Sequence, residues 1–142
     1  MIDRNARAQW SGDMKTGKGN LSTASGVLSS TPYSFRDRFE SGTGTNPEEL
    51  LAAAHAGCFT MALSMTLGME GLKADSLETS CTVTLDKEGE GFAIKKSALK
   101  LVARIPGASQ EAFNRATQNA KEGCPVSKLF DTEITLDAKL ES

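Results

Sequence analysis

The longest apolar stretch of the chain covers residues 45–70, and its pattern predicts a helix without a polar side. Asn46 is typical of an N-cap, Pro47 suits the first helical position, and Glu49 stands three residues after the cap, as in a capping box. Apolar residues between positions 50 and 67 fall on every side of a helical wheel. We therefore expect this helix to be surrounded by protein.

Alternation of apolar and polar residues predicts β-strands on both sides of this helix. The strands are expected at residues 6–10, 20–27, 33–40, 77–85, 92–105 and 133–140. Residues 86–91 carry the acidic and glycine residues of a hairpin turn. A second helix is expected between a cap at Ser109 and a stop at Gly123. This order of elements predicts an α+β fold, in a single domain over residues 1–142.

Charge and composition narrow the range of functions. The net charge of −2 offers no basic face for nucleic acid. Thr60, Ser64 and Thr66 interrupt the apolar run, so a membrane span is not predicted, and residues 1–10 lack the apolar segment of a secretory signal. We therefore expect a cytoplasmic protein, in which the three cysteines are more often reactive than structural.

The cysteines are the first candidates for chemistry. Cys58 lies among small residues near the middle of the predicted helix, a position that also fits a buried cysteine acting as a small hydrophobe. Cys124 precedes Pro125, which would place its sulfur at the start of a short helical turn, where the pKa of a thiol is lowered. These two cysteines could form a reactive and resolving pair, whereas Cys81 is expected to be a core residue of a strand.

Three further side chains could assist a thiol. His55 lies one helical turn before Cys58, and a Cys–His pair would suggest a hydrolase. Arg38, which shares a face of the predicted strand with Arg36, would favour a thiolate if it were held nearby. Glu48 precedes Cys58 by ten residues, ~15 Å along a helix, so it would act on that thiol from a second copy of the helix or through an intermediary. No metal site is predicted, because no two ligands have zinc spacing.

The segments around the cysteines resemble those of the OsmC/Ohr family of bacterial thiol peroxidases, and of its OsmC branch in particular. They are GTNPEELLAAAHAGCFTMALS, KEGCPVSKLF and the tail EITLDAKL, and the likeness extends over essentially the whole chain. The resemblance implies antiparallel β-sheets wrapped around two central helices in an intertwined homodimer. It also implies that the protein uses no cofactor and no metal.

The resemblance assigns roles as well. It implies a peroxidatic Cys58, a resolving Cys124, an Arg38 that contacts the reactive thiol, and a Glu48 that fixes this arginine in a bidentate pair. His55 falls at a position that the Ohr branch fills differently, so it is not expected to be essential. The implied reaction reduces organic hydroperoxides, and less efficiently hydrogen peroxide, in oxidative and osmotic stress defence. A sulfenic acid and a disulfide are intermediates, and an external dithiol, such as a lipoyl-type thiol, is the reductant.

Two other functions would use the same residues. A redox sensor would undergo one oxidation without turnover, but it would need an output surface such as a basic DNA-reading helix, and the sequence shows none. A Cys–His hydrolase would be built on His55 and Cys58, and it would need an oxyanion-hole loop that no segment clearly predicts.

Overall fold

The computed structural model describes residues 1–141. The elements in chain order are β1 (Ala6–Ser11), β2 (Lys18–Thr23), β3 (Thr31–Tyr33), α1 (Phe35–Phe39), α2 (Pro47–Met69), β4 (Ser76–Glu88), β5 (Gly91–Arg104), α3 (Gln110–Gly123), α4 (Pro125–Leu129) and β6 (Glu133–Glu141). The predicted α+β class is confirmed. The chain divides into two compact units, Met1–Leu50 and the remainder from Leu51, so the single domain stays a prediction.

The first unit contains a three-stranded sheet in the order β1-β2-β3, with antiparallel pairing throughout. The rings of Trp10 and Tyr33 pack against each other across it at an angle of 59°, with centroids 5.5 Å apart. Gly19 lies beneath both rings, and a Cβ there would come within 2.5 Å of each of them. Only Thr45 and Glu48 are buried in this unit, and both are polar. Residues 1–50 therefore have no buried apolar core of their own.

Residues 35–39 form helix α1, and the strand predicted at 33–40 is wrong beyond Tyr33. The helix begins because the Ser34 hydroxyl accepts a hydrogen bond from the backbone N–H of Asp37 at 3.2 Å. Side chains two residues apart point to opposite sides of a helix. The prediction that Arg36 and Arg38 share one face is therefore wrong. The Arg36 guanidinium donates to the Ser41 carbonyl instead.

The second unit contains a three-stranded sheet in the order β4-β5-β6. Strands β4 and β5 form the predicted hairpin around a tight turn at Gly89 and Glu90, where Gly89 has a φ of +59°. Strand β6 runs parallel to β5, unlike the antiparallel sheets that the resemblance implied. The parallel pairing follows from the connection, because helices α3 and α4 cross over between the two strands.

The apolar core lies in the second unit and involves α2, β5 and α3. Its buried members are Phe59, Leu63, Leu67, Leu99, Leu101, Ala103, Ile105, Phe113, Ala116, Ala120 and Cys124. The three residues from α2 are spaced four apart, so they form one stripe of that helix. The β5 residues alternate along the strand, so they lie on one face of the sheet. This core fixes the part of α2 that carries Cys58.

The other side of α2 is exposed in the single chain. Met61, Met65 and Met69 are 77%, 65% and 80% exposed. The expectation that protein surrounds this helix is therefore not met within one chain. By length and apolar composition, α2 is the one helix of residues 1–141 that could cross a membrane, but the core helix of a soluble protein passes the same test.

Candidate active site

Cys58 and Cys124 come together at the edge of the apolar core, with their Sγ atoms 2.7 Å apart. Both are free thiols. Cys58 projects from α2 immediately before the buried Phe59, whereas Cys124 ends α3, where its backbone N–H donates to the Ala120 carbonyl. Pro125 then begins α4, because it cannot continue the preceding helix. Cys124 is fully buried and Cys58 is partly exposed, so a reagent from solvent meets Cys58 first.

Burial raises the pKa of the Cys58 thiol above its ordinary value. The hydrogen bond with Cys124 raises this pKa further, and so does the repulsion between the two sulfurs when both carry a negative charge. The backbone N–H of Val126 donates to Cys58 and opposes these effects. Within the second unit, Cys58 therefore lacks the positive charge that a stable thiolate needs.

The start of helix α4 affects the pKa of a different cysteine from the one predicted from the sequence. The prediction placed the Cys124 sulfur at this helix start, but the Cys124 side chain makes no capping hydrogen bond. The backbone N–H of Val126, the second residue of α4, lowers the pKa of Cys58 instead. Cys124 remains close because it is the residue that joins α3 to α4.

Arg38 and Glu48 form an ion pair within the first unit. The Nε and Nη2 atoms of Arg38 both donate to Glu48 Oε1, at 3.1 and 2.9 Å. The pair that the resemblance implied is therefore present, but it uses one carboxylate oxygen rather than two. The other oxygen, Oε2, is buried without a hydrogen-bond partner. The Arg38 side chain keeps 40% of its surface exposed, so its charge remains accessible to an anion.

Asp37 holds the two members of this pair in position, a role that the sequence analysis missed. Its carboxylate accepts hydrogen bonds from the Ser34 hydroxyl and from the Gly44 backbone N–H, both at 2.9 Å. Its carbonyl accepts from the side chain of Asn46 at 3.0 Å. Asn46 also caps α2 as predicted, because its Oδ1 accepts from the N–H of Glu49 at 2.8 Å. These bonds tie α1, which carries Arg38, to the first turn of α2.

An apolar cavity of about 260 Å³ adjoins Arg38 in the first unit. Its lining residues are Trp10, Met14, Tyr33, Ser34, Phe35, Arg38, Phe39 and Pro47. Apolar walls with a single cation suit a ligand that has a hydrocarbon part and one polar end.

His55 is fully buried and forms no Cys–His pair. Its Nδ1 lies 2.6 Å from the Ser97 hydroxyl, and its Nε2 lies 2.8 Å from the Ser127 hydroxyl. Burial lowers the pKa of His55, which keeps the ring neutral. Both ring nitrogens are thus engaged by serines, and the hydrolase interpretation loses its base. Neither serine was predicted from the sequence.

Cys81 lies partly buried among core side chains of the second unit, as predicted. Its Sγ is 3.2 Å from the Ser97 hydroxyl. Burial raises the pKa of the Cys81 thiol, so this sulfur is kept protonated and unreactive.

Fold and site together define an α+β thiol protein with a preformed pair of cysteines. The family model described as OsmC-like protein matches residues 40–139. Peroxiredoxin OsmC of Escherichia coli (strain K12) is 52% identical over 141 residues, which cover 99% of each chain. The chain therefore belongs to the OsmC-like family.

More distant relatives lie in the organic hydroperoxide resistance group. The protein OhrB of Bacillus subtilis (strain 168) is 32% identical over 124 residues, 87% of this chain and 88% of that protein. Its crystal structure matches with a TM-score of 0.68 and 26% identity, over 96% and 98% of the two chains. An OsmC-like protein of unknown function from Vibrio cholerae, 16% identical, shares the fold with a TM-score of 0.77 over 97% and 99%.

Proposed function

We propose that this protein is a thiol-dependent peroxidase that reduces organic hydroperoxides, and less efficiently hydrogen peroxide, in oxidative and osmotic stress defence. The observation that carries the proposal is the approach of a partly exposed Cys58 to a buried Cys124 at 2.7 Å. The names of the relatives, a peroxiredoxin and an organic hydroperoxide resistance protein, support this chemistry. The cytoplasm, where dithiol reductants are available, is the proposed compartment.

The reaction takes three steps. The Cys58 thiolate attacks the terminal oxygen of the peroxide, the O–O bond breaks, and the leaving oxygen takes a proton to become alcohol or water. Cys58 is then a sulfenic acid. The Cys124 sulfur attacks the sulfur of Cys58, the S–O bond breaks, and water leaves as the disulfide forms. A dithiol, of the lipoyl type or another small dithiol, exchanges with this disulfide and restores both thiols.

Arg38 supplies the charge that Cys58 lacks. Burial and Cys124 both raise the pKa of Cys58, so a cation beside it is needed to hold a thiolate at neutral pH. The Arg38 guanidinium is fixed by Glu48 and remains partly exposed. The same charge would stabilise the oxygen that leaves during peroxide cleavage. The apolar cavity beside Arg38 would hold the hydrocarbon part of an organic hydroperoxide.

A homodimer would bring this arginine to the thiol. Two observations support a homodimer. The stripe of Met61, Met65 and Met69 on α2 is exposed, and residues 1–50 bury no apolar side chain. A two-fold interface lets one apolar stripe cover its own copy. Glu48 and Cys58 are ~15 Å apart along one helix, so antiparallel crossing of two α2 helices would carry Glu48 of one copy toward Cys58 of the other.

Peroxide turnover tests the function. With dithiothreitol as reductant, we expect steady consumption of cumene hydroperoxide, and slower consumption of hydrogen peroxide. Cys58→Ser abolishes this turnover, and the matched control Cys81→Ser leaves it nearly intact, because Cys81 lies on β4, where its sulfur contacts the Ser97 hydroxyl. A single stoichiometric oxidation without turnover would indicate the redox sensor instead. Substantial turnover by Cys58→Ser would remove the peroxidase assignment.

Subunit complementation tests the shared site. Inactive Cys58→Ser is refolded together with inactive Glu48→Ala, so that about half the molecules are heterodimers with one repaired site. About a quarter of wild-type activity should then return. A mixture of Cys58→Ser with Cys58→Ala is the control and should stay inactive. Confirmed heterodimers without activity would show that each site is built from one chain.

A further inference from the structure

A buried row of polar side chains connects three elements of the second unit to helix α4. Ser97 on β5 contacts both Cys81 on β4, at 3.2 Å, and His55 on α2, at 2.6 Å. His55 in turn contacts Ser127 on α4 at 2.8 Å. His55 and Ser97 are completely buried, and Ser127 is only 8% exposed. The proposed peroxidase reaction uses none of these four side chains.

Both ring nitrogens of His55 have hydrogen-bond partners, and these partners lie on two different elements, β5 and α4. A neutral imidazole has one N–H donor and one nitrogen acceptor, and a serine hydroxyl can serve either of them. A buried imidazole left without these partners would cost free energy, so the ring holds Ser97 and Ser127 in place as much as they hold the ring. The His55 position is therefore a fixed point between β5 and α4.

Helix α4 needs such a fixed point. It has only five residues, and a helix this short is not stable through its own hydrogen bonds. His55 contacts the helix through the Ser127 hydroxyl, and it also makes an edge-to-face contact with Phe130, the C-cap residue that follows the helix, with ring centroids 5.0 Å apart. Helix α4 begins directly after Cys124, whose Sγ lies 2.7 Å from that of Cys58, and the residue before Ser127 is Val126, whose backbone N–H lowers the pKa of Cys58.

We propose that His55 is a positioning residue for the resolving step, an inference that rests on the proposed peroxidase function. Through Ser127 it holds the Cys124–Val126 segment against Cys58. When Cys124 attacks the sulfenic sulfur of Cys58, the S–S bond forms, the S–O bond breaks and water leaves. His55 touches neither sulfur and transfers no proton. Its contribution is alignment, and a displacement of about 1 Å can slow a reaction ~10²-fold.

The test compares the resolving rate with the first oxidation. Reduced protein is mixed with one equivalent of cumene hydroperoxide, and mass spectrometry follows the trapped Cys58 sulfenic acid and the Cys58–Cys124 disulfide. In Ser127→Ala, we expect the ratio of the resolving rate constant to the first oxidation rate constant to fall at least about tenfold. Ser127→Thr, which keeps the hydroxyl, should restore most of the ratio.

The control is Thr117→Val, since Thr117 also carries a buried hydroxyl, but this hydroxyl donates to the Asn114 carbonyl within its own helix, α3. This variant should keep the wild-type ratio. An unchanged ratio in Ser127→Ala, or equal losses in Ser127→Ala and Ser127→Thr, would overturn the proposal, because either result describes a general effect on folding.

A second arm separates this proposal from the peroxidase assignment. Glutathione disulfide loads Cys58 with glutathione, and Cys124 then displaces it as glutathione thiol. If hydroperoxide fails to oxidise wild-type Cys58, the peroxidase assignment is lost, but a slow displacement in Ser127→Ala still supports the role of His55. Displacement at the wild-type rate in that variant counts against it.

A spectroscopic measurement needs no variant. The chain contains one histidine, so imidazole ¹⁵N signals come from His55 alone. The proposal requires a single neutral tautomer whose ring N–H exchanges slowly with solvent in the reduced protein. A mobile, rapidly exchanging ring would overturn it.

Discussion

The two units of the chain hold their reactive groups by different means. In the second unit the cysteine pair adjoins an apolar core, and Cys124 itself is one of the core residues. In the first unit the Arg38–Glu48 pair is held by polar side chains and loop backbone, and no apolar side chain is buried. The sulfurs are therefore positioned by packing, whereas the charges are positioned by directional hydrogen bonds.

The two means of positioning also differ in how completely each pair is satisfied. Packing brings the two sulfurs together without outside help, because the core residues come from one unit. The ion pair keeps an exposed guanidinium and a buried carboxylate oxygen without a partner. A buried oxygen of this kind costs free energy, so the ion pair is less completely satisfied than the packed core.

The largest expected effect on turnover comes from replacing Cys124, the cysteine that belongs to the apolar core. Cys124→Ser should react once with hydroperoxide and then fail to turn over, because Cys58 sulfenic acid has no partner thiol and persists or is oxidised further. Mass spectrometry after one equivalent of peroxide should show added oxygen on Cys58. An intact Cys58 thiol after this treatment would contradict the two-cysteine cycle.

The next largest effect is a loss of stability, and two variants compare packing in the core with hydrogen bonding in the first unit. Leu63→Ala, in the fully buried core, should lower the free energy of unfolding by about 2–5 kcal/mol. Asp37→Ala removes hydrogen bonds in the first unit and should cost only about 1–3 kcal/mol, while moving Arg38 and lowering turnover. Urea unfolding and turnover are measured on both proteins. A larger loss of stability in Asp37→Ala would reverse the contrast between the units.

A smaller effect concerns the geometry of the cation. Arg38→Lys keeps the charge but loses the planar donor group that binds Glu48 through two nitrogens. We expect kcat/KM for cumene hydroperoxide to fall about tenfold, because a less precisely held cation leaves the pKa of Cys58 higher. Thiolate absorbance against pH measures this shift. The control is Arg36→Lys, whose side chain binds a loop carbonyl, and an equal loss there would contradict the assignment.

The smallest effect is a pH dependence from His55. Burial lowers its pKa below the ordinary 6.5, so the unfolded chain gains a proton more readily than the native chain as the pH falls below that value. Stability should therefore decrease from pH 7.5 to pH 5.5, by at most about 1.4 kcal/mol per pH unit. Urea unfolding of wild type and His55→Gln, each at both pH values, isolates this contribution. Equal slopes in the two proteins would contradict it.

Local sequence predicted the elements whose limits are set by local chemistry. Helix α2 begins at its Asn46 cap, α3 at its Ser109 cap, and the hairpin turns at Gly89. Helix α1 was missed because its alternating residues also fit a strand. The Ser34-x-x-Asp37 spacing, which is typical of a helix start, was the signal that could have identified it.

The long-range parts of the site could not be predicted in this way. Ser97 and Ser127 lie 42 and 72 residues from His55 in the sequence, and no local pattern links them. The Val126 N–H is a backbone group that every residue except proline possesses, so its contact with Cys58 has no sequence signal. The resemblance to a family indicated Cys58, Cys124, Arg38 and Glu48, but not Asp37, Ser97 or Ser127.

The close approach of Cys58 and Cys124 also has a consequence for chain entropy. The two residues are separated by 66 positions, and joining the ends of such a loop in a disordered chain costs about 4 kcal/mol at 25 °C. The fold has already closed this loop before any peroxide arrives. The second thiol therefore does not have to find the first by diffusion of the chain, and the folding free energy has been converted into a high effective concentration of one sulfur beside the other.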